Sequence, residues 1–319
     1  MRLLFELSGE HPTLPFAEIE CVGRIVAFAP QVAVADVEDA GRTGRLSLVH
    51  HVMVHLGDAP ATKAGIMGLL RELGEEAKGT FSVRVRRIQG SPCELSNTAL
   101  ERLIGSMIHG RVDLEAPEAE YRGLVSGDRF YLGKVIAAID RSSFEYRNPL
   151  RRPFFHPGVM RPKYARAMVN LSLVQENEIL LDPCCGTGGI LLEANLVGAR
   201  VLGGDADRSM ILGTLANLPG ADVIRHDASA LPIRDSTIDA VVTDLPYGQS
   251  VSIHGNSVAS LYAGIVREIV RVLKKGRRAV VVTHVDARPL VVGLATVLQF
   301  HEQRIHKSLT RRIMVLEKE

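Results

Sequence analysis

The chain has few cysteines, little net charge and no long apolar run, and each shortage removes a class of protein. Its four cysteines, Cys21, Cys93, Cys184 and Cys185, include no C-x-x-C pair, so neither a zinc knuckle nor a disulfide framework is indicated. No apolar run reaches the length that spans a bilayer, and the start Met1-Arg2-Leu3-Leu4-Phe5-Glu6 lacks a signal-peptide pattern. A cytoplasmic protein is the expectation. The glycines of the most glycine-rich loop fall at 186, 188 and 189, which is not G-x-G-x-x-G, and no P-loop is present. The eleven histidines form no H-E-x-x-H pattern, so no metal site is expected.

What is present begins with an uneven distribution of charge. The net charge is only +2 over 319 residues. Residues 1–145 nevertheless carry 16 basic against 20 acidic side chains, and the remainder 22 against 16. The stretch 146–166 holds Arg147, Arg151, Arg152, Arg161, Lys163 and Arg166 with no acid. Such a stripe between two domains can track phosphates, although charge runs are more often solvated surface.

The N-terminal third reads as α+β with two small sheets. Arg2–Leu7 and Val32–Val37 are strands around a helix from about Phe16 to Phe28, with Ile19, Val22, Ile25 and Val26 as its apolar stripe. The strand 81–88 alternates Phe81, Val83 and Val85 with Ser82, Arg84 and Arg86, so one face is basic. Ser96 is an N-cap for the helix that follows. Tyr146–Pro157 holds three prolines and three arginines, too stiff for helix or central strand, so the domain boundary is placed there.

Beyond Glu178 the rhythm is strand, loop, helix, which predicts a doubly wound, mostly parallel sheet. Acids stand at successive strand ends: Asp182 opens the loop Asp182-Pro183-Cys184-Cys185-Gly186-Thr187-Gly188-Gly189, and Asp205, Asp227 and Asp244 follow. Ligands of open α/β sheets bind just beyond these ends. A carboxylate at Asp205 suits a ribose diol and one at Asp227 an adenine amine, while a glycine loop lets backbone approach a small charged tail. The run Thr243-Asp244-Leu245-Pro246-Tyr247-Gly248 offers a carboxylate and a carbonyl for the two hydrogens of an exocyclic amine, with an aromatic to stack on the ring. Alone it reads equally well as a strand ending in an Asp-initiated turn. Four acids in register favour S-adenosylmethionine beside an amino substrate.

At these residues the chain resembles a known family. Asp182–Gly189 is similar to motif I, and Asp244–Tyr247 to motif IV, of the methyltransferases that modify exocyclic nitrogens. The first half, ending in Arg129-Phe130-Tyr131-Leu132-Gly133, resembles a ferredoxin-like segment followed by a THUMP RNA-binding domain. Arg152–Gly158, Ala165–Leu171 and the tail His306-Lys307-Ser308-Leu309-Thr310-Arg311 resemble the archaeal tRNA guanosine-N2 methyltransferases acting at tRNA position 10.

The resemblance implies an α/β fold in three parts: residues 1–145 as ferredoxin-like plus THUMP region, 146–158 as a basic linker, and 159–319 as a Rossmann-like methyltransferase domain. It implies mono- and dimethylation of guanosine N2, with Asp244, Leu245, Pro246 and Tyr247 handling the guanine. Phe155, His156, Pro157 and Gly158 would border the cofactor, alongside Asp182, Pro183, Gly186, Thr187, Gly188, Asp205, Asp227 and Ala228. Arg84, Arg86, Arg87, Arg147, Arg151 and Arg152 would meet RNA phosphates. tRNA is the implied partner, joined in some relatives by a small zinc-binding activator subunit. The family usually has proline where Leu245 stands; the carbonyl remains, but φ is not fixed there. Another tRNA guanosine, such as position 6, and a non-catalytic RNA-binding or cofactor-sensing protein are the alternatives.

Overall fold

The computed structural model describes residues 1–88, 90, 93–246, 258–306 and 309–319. The chain divides into two compact units, Met1–Ile139 and Asp140–Glu319. Tyr247, together with Lys307 and Ser308 of the tail, lies outside the described residues.

The first unit runs β1 (Arg2–Leu7), α1 (Leu14–Ile19), β2 (Gly23–Ala29), β3 (Val32–Val37), β4 (Val49–Pro60), α2 (Lys63–Leu73), β5 (Glu76–Arg87), α3 (Asn97–Met107), β6 (His109–Val112), β7 (Ala119–Ser126) and β8 (Arg129–Ala138). Where two sheets were expected there is one, of eight strands in the order β2-β3-β1-β4-β8-β7-β5-β6. The long strands β4 and β8 pair from His51↔Ala138 to Pro60↔Arg129 and carry the sheet across both halves of the unit.

The expected helix over 16–28 stops at Ile19, and its second half is the edge strand β2, antiparallel to β3. Ile25, Val26 and Phe28 are β-branched or aromatic, and the short apolar run fits either period. The expectation for α3 holds: the Ser96 side chain accepts from Ala99 N.

The second unit runs α4 (Ser142–Tyr146), α5 (Pro162–Leu171), β9 (Ile179–Asp182), α6 (Gly189–Leu196), β10 (Arg200–Asp205), α7 (Arg208–Asn217), β11 (Asp222–Arg225), β12 (Ala240–Asp244), α8 (Val258–Val272), β13 (Arg278–Thr283), β14 (Thr296–His306) and β15 (Leu309–Glu317). Its sheet has the order β11-β10-β9-β12-β13-β15-β14, parallel from β11 to β13 with β14 and β15 an antiparallel hairpin at the edge. Chain order reverses between β9 and β12, which makes that crevice the topological switch point. The central strands are apolar throughout, as strands covered on both faces must be: Ala240, Val241, Val242, Ala279, Val280, Val281 and Val282 are all fully buried. Tyr262, Ile265, Val266 and Ile269 form the face that α8 lays on them. No helix among the described residues is long and apolar enough to cross a membrane.

Candidate active site

The carboxyl ends of β9, β10 and β12 converge on the loop after β9. Gly186 and Gly188 take φ of +52° and +77°, and a Cβ on Gly188 would lie 2.9 Å from Thr214 Cγ2 of α7. Only glycine fits there. The loop is stitched to its neighbours: Cys185 N donates to Gly204 O (2.8 Å), and Thr214 Oγ1 donates to Gly186 O (2.8 Å). Asp205 Oδ2 accepts from Gly186 N at 3.0 Å and its Oδ1 from Asp207 N at 2.9 Å, so β10's terminal acid fixes the loop and the start of α7 together.

Asp182 lies beneath the loop, 1% exposed, accepting from Cys184 N at 3.2 Å. Burial, with the charges of Asp205 and Asp244 adding to it, pushes its carboxyl up to about 7. Pro183, Thr187 and Gly188 are buried with it, whereas Gly186 is half-buried. Asp227 is exposed beyond β11; its Oδ1 accepts from Ser229 N (2.8 Å) and Ser229 Oγ (2.7 Å), bonds that hold its carboxyl below the usual range. Ala228 beside it is buried. The neighbouring His226 ring lies on Gly204, and its buried Nδ1 has no partner.

At the end of β12, Leu245 N donates to Val282 O at 2.9 Å, and the Leu245 side chain is 1% exposed. The backbone is thereby held by β13 even without a proline. The Pro246 carbonyl accepts from the Tyr262 hydroxyl at 2.7 Å, and His284 Nδ1 is 3.0 Å from the same hydroxyl. With the hydroxyl proton on Pro246, His284 Nδ1 is the donor to Tyr262. Burial lowers the proton affinity of His284 and raises the Tyr262 pKa, so both stay neutral. Asp244 Oδ2 lies 3.3 Å from a guanidinium nitrogen of Arg311. Tyr262, His284 and Arg311 were not singled out by the sequence. The buried aromatic on the apolar face of α8 reads as core, and Arg311 as one more charge in a basic tail.

The segment before α5 is tied at both ends. Phe154 N donates to Asn217 Oδ1 and Phe154 O accepts from Asn217 Nδ2, each at 2.9 Å, while Gly158 O accepts from Arg311 at 3.1 Å. Phe155, His156, Pro157 and Gly158 are exposed between these ties.

The six candidate RNA-binding arginines separate by environment. Arg84 and Arg151 are exposed. Arg86 pairs with the buried Glu6, and Arg87 donates to the carbonyls of Cys93 and Leu95. Arg147 pairs with the fully buried Glu193 at 2.7 Å, and Arg152 Nε donates to Arg147 O at 3.0 Å. These four are half-buried and engaged inside their own units, whereas the exposed Arg84 reaches the Leu114 carbonyl at 3.4 Å and the exposed Arg151 lies 6.0 Å over the Tyr146 ring.

S-adenosylmethionine fits this donor set. Carboxylates at adjacent strand ends suit its ribose and adenine, and a Cβ at Gly186 would meet nothing within 4 Å, so the loop leaves open space on that side. The unpartnered Nδ1 of His226 marks a polar environment at the same ends.

Comparison with known proteins bears on this arrangement. The family described as UPF0020, RMKL-like methyltransferase domain, matches residues 149–313. A tRNA (guanine(10)-N2)-dimethyltransferase of Methanothermobacter thermautotrophicus is 36% identical, with 100% of each chain covered. The protein of that name from Pyrococcus abyssi is 32% identical over 98% of each. Among solved structures, TrmN from Thermus thermophilus has TM-score 0.56 at 22% identity, covering 100% of both chains, which shows a shared fold. The chain belongs to the tRNA (guanine(10)-N2)-dimethyltransferase family.

Proposed function

We propose that this protein transfers methyl groups from S-adenosylmethionine to the exocyclic N2 of the guanosine at position 10 of tRNA, once and then a second time. The observation that carries the reading is the end of β12, where a half-buried carboxylate is followed by the braced Leu245 and Pro246 at the switch point of the sheet. Gly186, Gly188, Asp205, Asp227 and Ala228 would hold the cofactor, with Phe155–Gly158 along its border and Asp182, Pro183 and Thr187 supporting the loop from below. When bound, S-adenosylmethionine supplies a methyl group on a sulfonium for in-line displacement.

The chain's own part is to present the amine. A conjugated amine is a poor nucleophile because its lone pair is delocalised into the ring. Asp244 and the Leu245 carbonyl accept its two hydrogens and turn the lone pair toward the methyl group, which is positioning plus electrostatic stabilisation. Pro246 is held by Tyr262 and leaves the grip to these two acceptors, and Tyr247 stacks on the base. The nitrogen sheds one proton as the new N–C bond forms, and Asp244 is the acceptor beside it. A monomethylated N2 retains one hydrogen for the second round. The base must leave its stack to enter, at a cost of a few kcal/mol.

The first unit supplies the tRNA-binding ferredoxin-like and THUMP region and the second the methyltransferase domain, in the cytoplasm; the basic segment 146–158, expected as a linker, is bound into the second unit. Arg84 and Arg151, being exposed, are the phosphate contacts of the arginine set. An activator subunit would cover the apolar edge at β11 and α7, where Ile224 and Leu212 are exposed. Unmodified tRNA transcripts incubated with labelled S-adenosylmethionine, digested and read by mass spectrometry, test the reading. Mono- and dimethylguanosine at position 10 are expected. Label on another guanosine discards the position, and absence of label with and without the activator discards the activity.

A further inference from the structure

Arg311 is 5% exposed, an unusual place for a guanidinium near the connected end of the β14–β15 hairpin. Its terminal nitrogen reaches two segments far apart in sequence, the Gly158 carbonyl at 3.1 Å and Asp244 Oδ2 at 3.3 Å. Its neighbour Arg312 turns the other way, donating to the His284 carbonyl at 2.5 Å and pairing with Glu302 at 3.0 Å. His284 in turn meets Tyr262, which holds Pro246. Two consecutive residues of β15 thus brace the end of β12, one through the Asp244 side chain and one, by way of His284 and Tyr262, through Pro246.

A desolvated ion pair contributes little net stability, because removing both charges from water offsets their attraction. It does fix orientation, and arginine's planar fork does so better than lysine. Asp244 also needs a cation. The titratable and charged groups that interact with it are Asp182 at the end of β9, Tyr262 on α8 and Arg311, with Cys184 beside Asp182 and His284 beside Tyr262. Asp182 and Asp244 oppose each other's ionisation, and among these groups Arg311 is the formal positive charge.

We propose that Arg311 is a positioning residue for methyl transfer, holding Asp244 ionised and in one orientation while tying the Gly158 end of the strap to it. The inference rests on Asp244 being the acid that grips the amine. Removing Arg311 leaves Asp244 easier to protonate, so its affinity for a proton rises and the grip is lost at a higher pH than in the wild type.

Single-turnover methylation of tRNA from pH 5 to 9, with calorimetric binding of S-adenosylhomocysteine, decides it for R311Q, R311K and D244N. For R311Q the rate is expected to fall roughly 30-fold or more, with ligand affinity within about threefold and the acid limb of the rate profile about one unit higher. R311K restores the acid limb and only part of the rate. A rate within about threefold of wild type overturns the proposal, as does a lower rate with an unmoved acid limb. Should R311Q not fold, R311M takes its place, and a rate within about threefold of wild type or an unmoved acid limb overturns the proposal equally. An active D244N would instead remove the reading beneath it; an inactive D244N beside a normal R311Q would remove this inference alone.

Discussion

Asp244 sits 18% exposed beside a second carboxylate that is fully buried, and the rest of the site is arranged to keep it useful. Asparagine at this position keeps the shape and an acceptor oxygen but loses the charge that opposes the developing positive nitrogen. Asp244→Asn is expected to lower the single-turnover rate by about 10²–10³, the usual effect of removing one charge-stabilising group. Its tRNA affinity, measured by filter binding, stays within about twofold. A full rate at unchanged affinity would remove Asp244 from the chemistry. The acid was legible in the sequence because it ends an apolar run and precedes a proline. Its braces were not. Arg311 and Tyr262 reach the site through hairpin register and helix packing, which the local pattern does not carry. Side-chain environment was equally hidden for the arginines: Arg84 and Arg86 alternate onto the same face of β5, yet only Arg86 finds a buried glutamate.

At the scale of elements, β1 carries a buried carboxylate ringed by cations, Glu6. Glu6 is 1% exposed; burial alone would raise its pKa, but His51, Arg86 and Arg122 outweigh it and hold the carboxyl to about 2. A carboxyl depressed in the fold contributes stability that is present above its unfolded value near 4.5 and lost as pH falls toward 2. That contribution is on the order of 3 kcal/mol. Amide exchange in a β1 peptide of the full chain should accelerate steeply from pH 5 to 2.5 after correction for intrinsic rates. Glu6→Gln should be less protected at pH 7 and nearly flat over that window. A flat wild type contradicts the assignment.

The loop between β9 and α6 supplies a second test. Gly188→Ala puts a Cβ against Thr214 at a left-handed φ, and is expected to weaken S-adenosylhomocysteine binding at least tenfold by calorimetry, from about 1–2 kcal/mol of strain in the loop. Gly220→Ala, with φ of +83° and no atom within 4 Å, is the control: similar backbone strain, unchanged affinity. Equal affinity for both variants would separate the loop from the cofactor. The loop was readable because its glycines and flanking acid are local. The helix α7 behind it was not, since Leu212 and Leu215 face solvent while Gly213 and Thr214 are buried, the reverse of an apolar stripe. The strand β2 reads as helix in the sequence because its few apolar residues satisfy both periods.

For the whole molecule, alternating strands and helices after Glu178 were enough to anticipate a doubly wound sheet, because right-handed crossovers leave few arrangements. The first unit was harder. Its eight-stranded sheet depends on β4 and β8 pairing across a long separation in sequence, and the period-2 signal says nothing about partners. Charge at this scale makes its own prediction. If Arg84 and Arg151 contact phosphates, Arg84→Gln and Arg151→Gln each reduce the slope of log K against log salt for tRNA binding by about one. Arg87→Gln, which loses bonds to Cys93 and Leu95 instead, should cost stability with the slope unchanged. The opposite pattern would place the RNA on another face.

The central claim is that the end of β12 grips an exocyclic amine of a tRNA guanosine. The measurement that addresses it most directly compares two tRNA transcripts that differ at position 10, one with guanosine and one with inosine, which lacks only the 2-amino group. Methyl incorporation into the guanosine transcript and none into the inosine transcript, at equal binding affinity, is the predicted result. Equal incorporation into both would mean that the methyl group goes elsewhere, and Asp244 would no longer be the residue that receives the substrate.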